Sequence, residues 1–149
     1  MGADQDQHGK PGSGTRRRVG RVLVIDDELL VAESLRRVLS GECEVTVTTE
    51  PSAALARLTS GEWYDVIFCD VMMPGMNGVT LHDRVKCDQP ELAARFVFIT
   101  GGIVLPHVQT LLEGVSNLVL AKPLDMQALR ELVRRRTRAD EPAAASSSR

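Results

Sequence analysis

Five short apolar runs, at residues 21–26, 44–48, 65–69, 95–100 and 118–121, are rich in β-branched residues and alternate with stretches whose apolar residues recur at helical spacing. That alternation narrows the fold more than any other feature, because repeated strand-then-helix units close as right-handed crossovers onto a parallel sheet. One helical stripe is Val31, Leu35, Val38 and Leu39; a second is Val104, Val108, Leu111, Leu112 and Val115. A third, Leu129, Leu132 and Val133, follows Asp125, which is placed to cap it. Weaker helical patterns cover 52–60, starting at Pro51, and 78–88. Gly41, Gly61 and Gly114 each follow a helical stretch, where a left-handed C-terminal cap is expected. Runs such as VLVI and FVFIT are almost unbroken by polar residues, a pattern that fits strands covered on both faces. The pattern predicts an α/β fold, a doubly wound five-stranded parallel sheet with helices on both faces.

A chain of 149 residues, 43% hydrophobic and 26% charged, suits one domain. It can remove roughly two-thirds of its unfolded surface from water without a disulfide or structural zinc. Cys43, Cys69 and Cys87 are odd in number and lack knuckle or redox spacing, as expected of a reducing cytoplasm. Cys69, flanked by apolar strand residues, reads as a small core hydrophobe. Residues 1–18 are polar and glycine-rich and read as a flexible arm; residues 139–149, ADEPAAASSSR, read as a disordered tail, leaving 19–138 as the folded unit. A net charge of −2 supplies no global field toward nucleic acid or anionic membrane, and Arg16 to Arg18 read as solvated charges. The N-terminus lacks a signal-like apolar stretch, and no apolar run approaches the roughly 20 residues of a membrane span, so a cytoplasmic location is expected.

The ends of the strands carry the chemistry. Asp26 and Asp27 close the first run, RVLVIDDE, and Asp70 closes the third; Thr100 ends the fourth before Gly101 and Gly102, and Lys122, before Pro123, ends the fifth. The second fades into Thr48 and Thr49. In a parallel sheet these carboxyl ends share one crevice. Three ionised carboxylates there repel one another unless a hard divalent cation neutralises them. A nucleotide site is the ordinary occupant of such a crevice, but it needs a glycine-rich first turn. Here that turn is Asp26, Asp27, Glu28, which repels phosphate and suits Mg2+. Carboxylate, cation, hydroxyl and ammonium together point to phosphoryl transfer through an acyl phosphate. In that reading Lys122 and the metal offset the charge on the phosphoryl oxygens, Thr100 donates to one, and the neighbouring glycines leave room. Each residue alone has a structural explanation as cap, strand former or solvated charge; their joint occurrence at four of five strand ends carries the reading.

These motifs give the chain a specific likeness. Over residues 20–136, the acidic pair in VLVIDDE, Asp70 in FCDVMMPGMNG, Thr100 in FVFITGG and Lys122 with Pro123 in LVLAKP resemble a two-component response-regulator receiver domain. The resemblance implies the flavodoxin-like (βα)5 arrangement with strand order 2-1-3-4-5. It implies Asp70 as phosphoacceptor, Asp27 and Asp70 as direct Mg2+ ligands, Asp26 acting through a metal-bound water, and the backbone carbonyl of Met72 as a further ligand, with Mn2+ as a substitute ion. Thr100 matches the switch hydroxyl, with Gly101 beside it at the phosphate, Lys122 matches the phosphate-pairing lysine, and the bond before Pro123 is expected to be cis. One position departs: where receivers often carry a switch Tyr or Phe, three residues before the lysine, this chain has Val119. The wording PELAARFVFITGG resembles receivers at the C-terminus of hybrid histidine kinases.

Other candidates read as structural. Met72, Met73 and Met76 are soft ligands better suited to loop packing than to a hard cation. His82 and His107 are expected at the surface, and Trp63 and Tyr64 against the edge of the third strand. Arg134, Arg135, Arg136 and Arg138 complement a helix C-terminus. The implied function is regulatory rather than enzymatic: a phosphoacceptor fed by a histidine kinase or histidine phosphotransfer domain, acting by docking to an output protein, with a homodimer left open. The rival readings are a Mg2+-dependent phosphohydrolase with an aspartyl-phosphate intermediate, and a module that binds partners without phosphorylation. The hydrolase commonly carries a second aspartate two residues after the nucleophile, where this chain has Met72.

Overall fold

A computed structural model describes residues 19–139. Its elements in chain order are β1 (Gly20–Ile25), α1 (Leu29–Leu39), β2 (Cys43–Thr48), α2 (Pro51–Thr59), β3 (Val66–Asp70), α3 (Gly78–Asp88), α4 (Pro90–Ala93), β4 (Phe96–Thr100), α5 (Pro106–Glu113), β5 (Val119–Ala121) and α6 (Met126–Ala139). All strand pairs are parallel and the order is β2-β1-β3-β4-β5, as the resemblance implied. The expected arm, 1–18, and all of the expected tail beyond Ala139 lie outside the described residues; Ala139 itself closes α6.

The sheet separates two apolar layers. On one side Leu23, Ile25, Ile67, Cys69, Phe96 and Phe98 meet Ala54 and Leu58 of α2, Leu81 and Val85 of α3 and Val108 and Leu112 of α5. On the other, Val22, Val24, Val66, Phe68, Val97 and Ile99 meet Ala32, Leu35 and Leu39 of α1 and Leu129, Leu132 and Val133 of α6. The period-2 alternation of β1, β3 and β4 feeds both layers, which is why residues 22–25, 66–69 and 96–99 are apolar at every position. β3 and the first four residues of β4 are entirely buried, and each of their large apolar side chains contributes roughly 1.5–3 kcal/mol. Asp125 caps α6 as expected, its Oδ1 accepting from the N–H of Gln127 at 3.0 Å and of Ala128 at 3.1 Å.

Several local expectations are corrected. α4 is a short extra helix that Pro90 starts, and it was hidden in the run-up to β4. Left-handed backbone occurs at Gly61 (φ 105°) but not at Gly41 or Gly114; α1 ends on right-handed Ser40, and Gly114 has φ −87°. His82 is buried, not a surface residue: its ring packs edge-on against Phe96 at 5.2 Å and Phe98 at 5.5 Å. Burial holds its imidazole below the usual histidine range. His107 is exposed. Tyr64 is fully buried beneath the Arg21 guanidinium, 5.0 Å from the ring, and Trp63 lies under Arg95 at 5.2 Å. Beside them, at the amino edge of the sheet, the buried Asp65 carboxylate accepts from the Arg21 N–H at 2.7 Å, an anchor that a lone acid before a strand does not announce.

Candidate functional site

Apolar strand burial carries the acidic residues to one edge of the sheet. Asp26 follows β1 directly, and its N–H donates to Thr48 O at 3.2 Å, tying it to the end of β2. Its Oδ1 accepts from the N–H of Glu28 at 2.9 Å, which turns the chain into α1. Asp27 is next and more open to solvent. Asp70 is the last residue of β3, paired in register with Ile99 of β4, and only 8% exposed.

The loop after Asp70 is shaped by its own bonds. The Gly78 N–H donates to Val71 O at 2.8 Å, and Asn77 Oδ1 caps α3 by accepting from the Thr80 N–H at 2.8 Å. Gly75 takes φ 87°, a left-handed conformation that favours glycine. Gly78 is also a close approach: a Cβ there would strike the carbonyl oxygen of Asp70 and stand 3.0 Å from Cys69 Sγ. Met73 is buried, and Met72 and Met76 are partly buried against the same core layer, so these thioethers pack. Met72 lies in this loop two residues past Asp70.

Lys122 arrives from the fifth strand. Thr100 pairs in register with Ala121, and the Lys122 N–H donates to Thr100 O at 2.8 Å. The Lys122 Nζ then stands 3.7 Å from Asp26 Oδ2 and 3.9 Å from Asp70 Oδ1. The Lys122–Pro123 peptide is cis. Asp26, Asp27 and Asp70 each present an oxygen, and these atoms all lie within 4.8 Å of one another. The fold thus gathers Asp26, Asp27, Asp70 and Lys122 at one point, with Thr100 and Gly101 on the adjoining strand end. Val119, at the position of the expected aromatic, is a half-exposed residue of a three-residue edge strand.

The electrostatics are those of an over-filled acidic pocket. The Asp70 carboxyl is pushed up to about 7, first by burial and then by the neighbouring Asp26 charge, with Lys122 pulling the other way. Burial likewise raises Asp26, against the Glu28 N–H and Lys122. Among the described residues Asp26 Oδ2 is buried without a hydrogen-bond partner. One ammonium at ion-pair distance does not balance three carboxylates, and a set of hard oxygens with an unused buried acceptor suits a small divalent cation. Sequence reasoning did not find the tight packing of Gly78 on Asp70 or of Gly101 on Lys122, since a glycine's neighbours leave no local trace.

Comparisons with known proteins agree with this architecture. The family model described as "Response regulator receiver domain" matches residues 22–134. An uncharacterised response regulatory protein of Yersinia pestis is 32% identical over 120 residues, covering 79% of this chain and 48% of that protein, so the chain spans about half of that relative's length. A CheY-like response regulator receiver domain from Methanospirillum hungatei JF-1 superposes with a TM-score of 0.70 at 19% identity, covering 82% of this chain and 96% of that one. The signal receiver domain of a signal transduction histidine kinase from Syntrophus aciditrophicus gives 0.69 at 24% identity, covering 83% and 93%. No helix among the described residues is long and apolar enough to cross a membrane. With the family model spanning β1 to α6 and the two solved receiver domains sharing its fold, this chain belongs to the response regulator receiver domain family.

Proposed function

We propose that the chain is a phosphoacceptor module of a two-component relay, in which Asp70 takes a phosphoryl group from the phosphohistidine of a histidine kinase or histidine phosphotransfer domain and the modified domain docks to a separate output protein. The observation that carries this reading is the meeting of Asp26, Asp27 and Asp70 beside Lys122 at the carboxyl edge of the sheet.

In the transfer, an Asp70 carboxylate oxygen attacks phosphorus while the P–N bond breaks and its electron pair stays on the imidazole nitrogen. An acyl phosphate results, with no change in oxidation state. The Lys122 ammonium, already facing Asp70, offsets charge on the transferred group, and the Thr100 hydroxyl at the end of β4 donates to it. Asp27 and Asp70 would hold Mg2+, or Mn2+ in its place, with Asp26 through a water and the Met72 carbonyl completing the protein's share. Bound there, the cation supplies positive charge that lessens repulsion between the carboxylates and the entering phosphoryl group. Attack of water on phosphorus later releases inorganic phosphate and restores the Asp70 carboxylate. Met72 two residues after Asp70 supports a regulatory role over turnover of phosphomonoesters, which would call for a general acid there.

The test is incubation with acetyl phosphate and Mg2+ followed by intact-mass measurement. Wild type gains one phosphoryl group and Asp70→Asn gains none; equal labelling of the variant refutes the assignment of Asp70.

A further inference from the structure

Gly101 is a glycine whose backbone does not require one. Left-handed backbone among the described residues is confined to Gly61, Gly75 and Gly102, so conformational freedom does not account for Gly101. Space does. An ideal Cβ on Gly101 would stand 2.8 Å from Lys122 Cδ and 3.3 Å from both Lys122 Cβ and Cγ, so the lysine stem lies across the bare face of this residue. The neighbouring Gly102, with φ 69°, has nothing within 4 Å of the same point: there conformation matters and clearance does not.

The path of the lysine is set by a hydrogen-bonded backbone at one end and a looser ion pair at the other. Its backbone is held by the bond from its N–H to Thr100 O at 2.8 Å and by the Thr100 to Ala121 register. Its Nζ stands 3.7 Å from Asp26 and 3.9 Å from Asp70. Between these points the stem passes over residue 101. We propose that Gly101 is a positioning residue for phosphoryl transfer: its lack of a side chain is the slot through which Lys122 reaches the acidic pocket. The inference rests on the phosphoacceptor reading above. A methyl group at 101 meets Lys122 Cβ and Cγ, which the backbone bond keeps from retreating, so the stem rotates out and carries the ammonium away from Asp70. A point charge at nearly 4 Å loses its effect with each further ångström, and more steeply in a partly buried pocket than in water.

The test combines two variants and two readouts. Gly101→Ala slows labelling by acetyl phosphate about tenfold, the loss of one transition-state charge contact at about 1.4 kcal/mol, while Mg2+ affinity measured by calorimetry is kept or rises, since the carboxylates are untouched and the ammonium that competes with the cation for them has moved away. In a Lys122→Met background the same glycine change has no further effect on labelling. Independent, multiplying effects of the two changes, or wild-type labelling of Gly101→Ala, would overturn the inference while leaving Asp70 as phosphoacceptor. Loss of Mg2+ binding together with labelling in both Gly101→Ala and Gly101→Ser would also overturn it, by locating the damage in the loop and not in the lysine. A wild type that takes no label overturns the inference and the functional reading together.

Discussion

The Lys122 ammonium stands 3.9 Å from an Asp70 carboxylate oxygen, an ion-pair separation too long for a hydrogen bond. The pair is therefore loose, and it leaves Asp70 with a carboxyl pushed up to about 7 by burial and by Asp26. A carboxyl raised on folding keeps its proton in the native state at pH values where the unfolded chain has lost it. Its contribution to stability is complete below the unfolded value of about 4 and fades as pH rises through about 7.

The metal-free protein is therefore expected to lose stability between about pH 5 and 7.5, with the Asp70 share on the order of 2–4 kcal/mol. Asp70→Asn removes that share, so the variant is the more stable protein at pH 7.5 and shows a shallower slope, with the remainder coming from the raised Asp26. Urea unfolding of both proteins across this range checks it. Parallel pH profiles would show that the Asp70 carboxyl is not raised in the folded protein.

Gly78→Ala tests how tightly the loop is drawn against Asp70. The added Cβ strikes the carbonyl oxygen of Asp70 and crowds Cys69 Sγ, and neither the backbone of a buried strand nor a core sulfur can move aside freely. A loss of about 2–3 kcal/mol is expected, at the upper end of ordinary overpacking. Denaturant midpoints of this variant and of Gly41→Ala, where a Cβ meets nothing within 4 Å, make the comparison; equal midpoints would contradict it.

Asp125→Ala should weaken the start of α6 without touching the acidic pocket. It removes the acceptor of two backbone N–H groups, an effect of about 1 kcal/mol. Hydrogen exchange is expected to quicken at Gln127 and Ala128 while Asp70 labelling is unchanged, and altered labelling would mean that this cap also supports the site.

The strand ends were legible in the sequence because a parallel strand is apolar on both faces, so the first polar residue after each run marks where it leaves the core. Asp26, Asp70, Thr100 and Lys122 all stand at such boundaries, and the alternation that located them also located β1 to β5 to within a residue or so. What stayed hidden depends on distant neighbours. His82 looks like a surface residue on a helical pattern until α3 lies against Phe96 and Phe98 of β4. Asp65, a lone acid between Tyr64 and Val66, carries no local sign of its bond to Arg21, and the four residues of α4 are too few to show a helical period.

β3 has a hydrogen-bonded neighbour on each side and no exposed residue, whereas β5 has three residues, one neighbour and half-exposed Val119. Asp70 thus closes a strand that is paired on both sides and wholly buried, whereas Lys122 follows one paired on a single side and open to solvent. The two charges that face each other across the pocket are therefore carried by supports of unequal strength, one set in the core and one at the margin of the sheet.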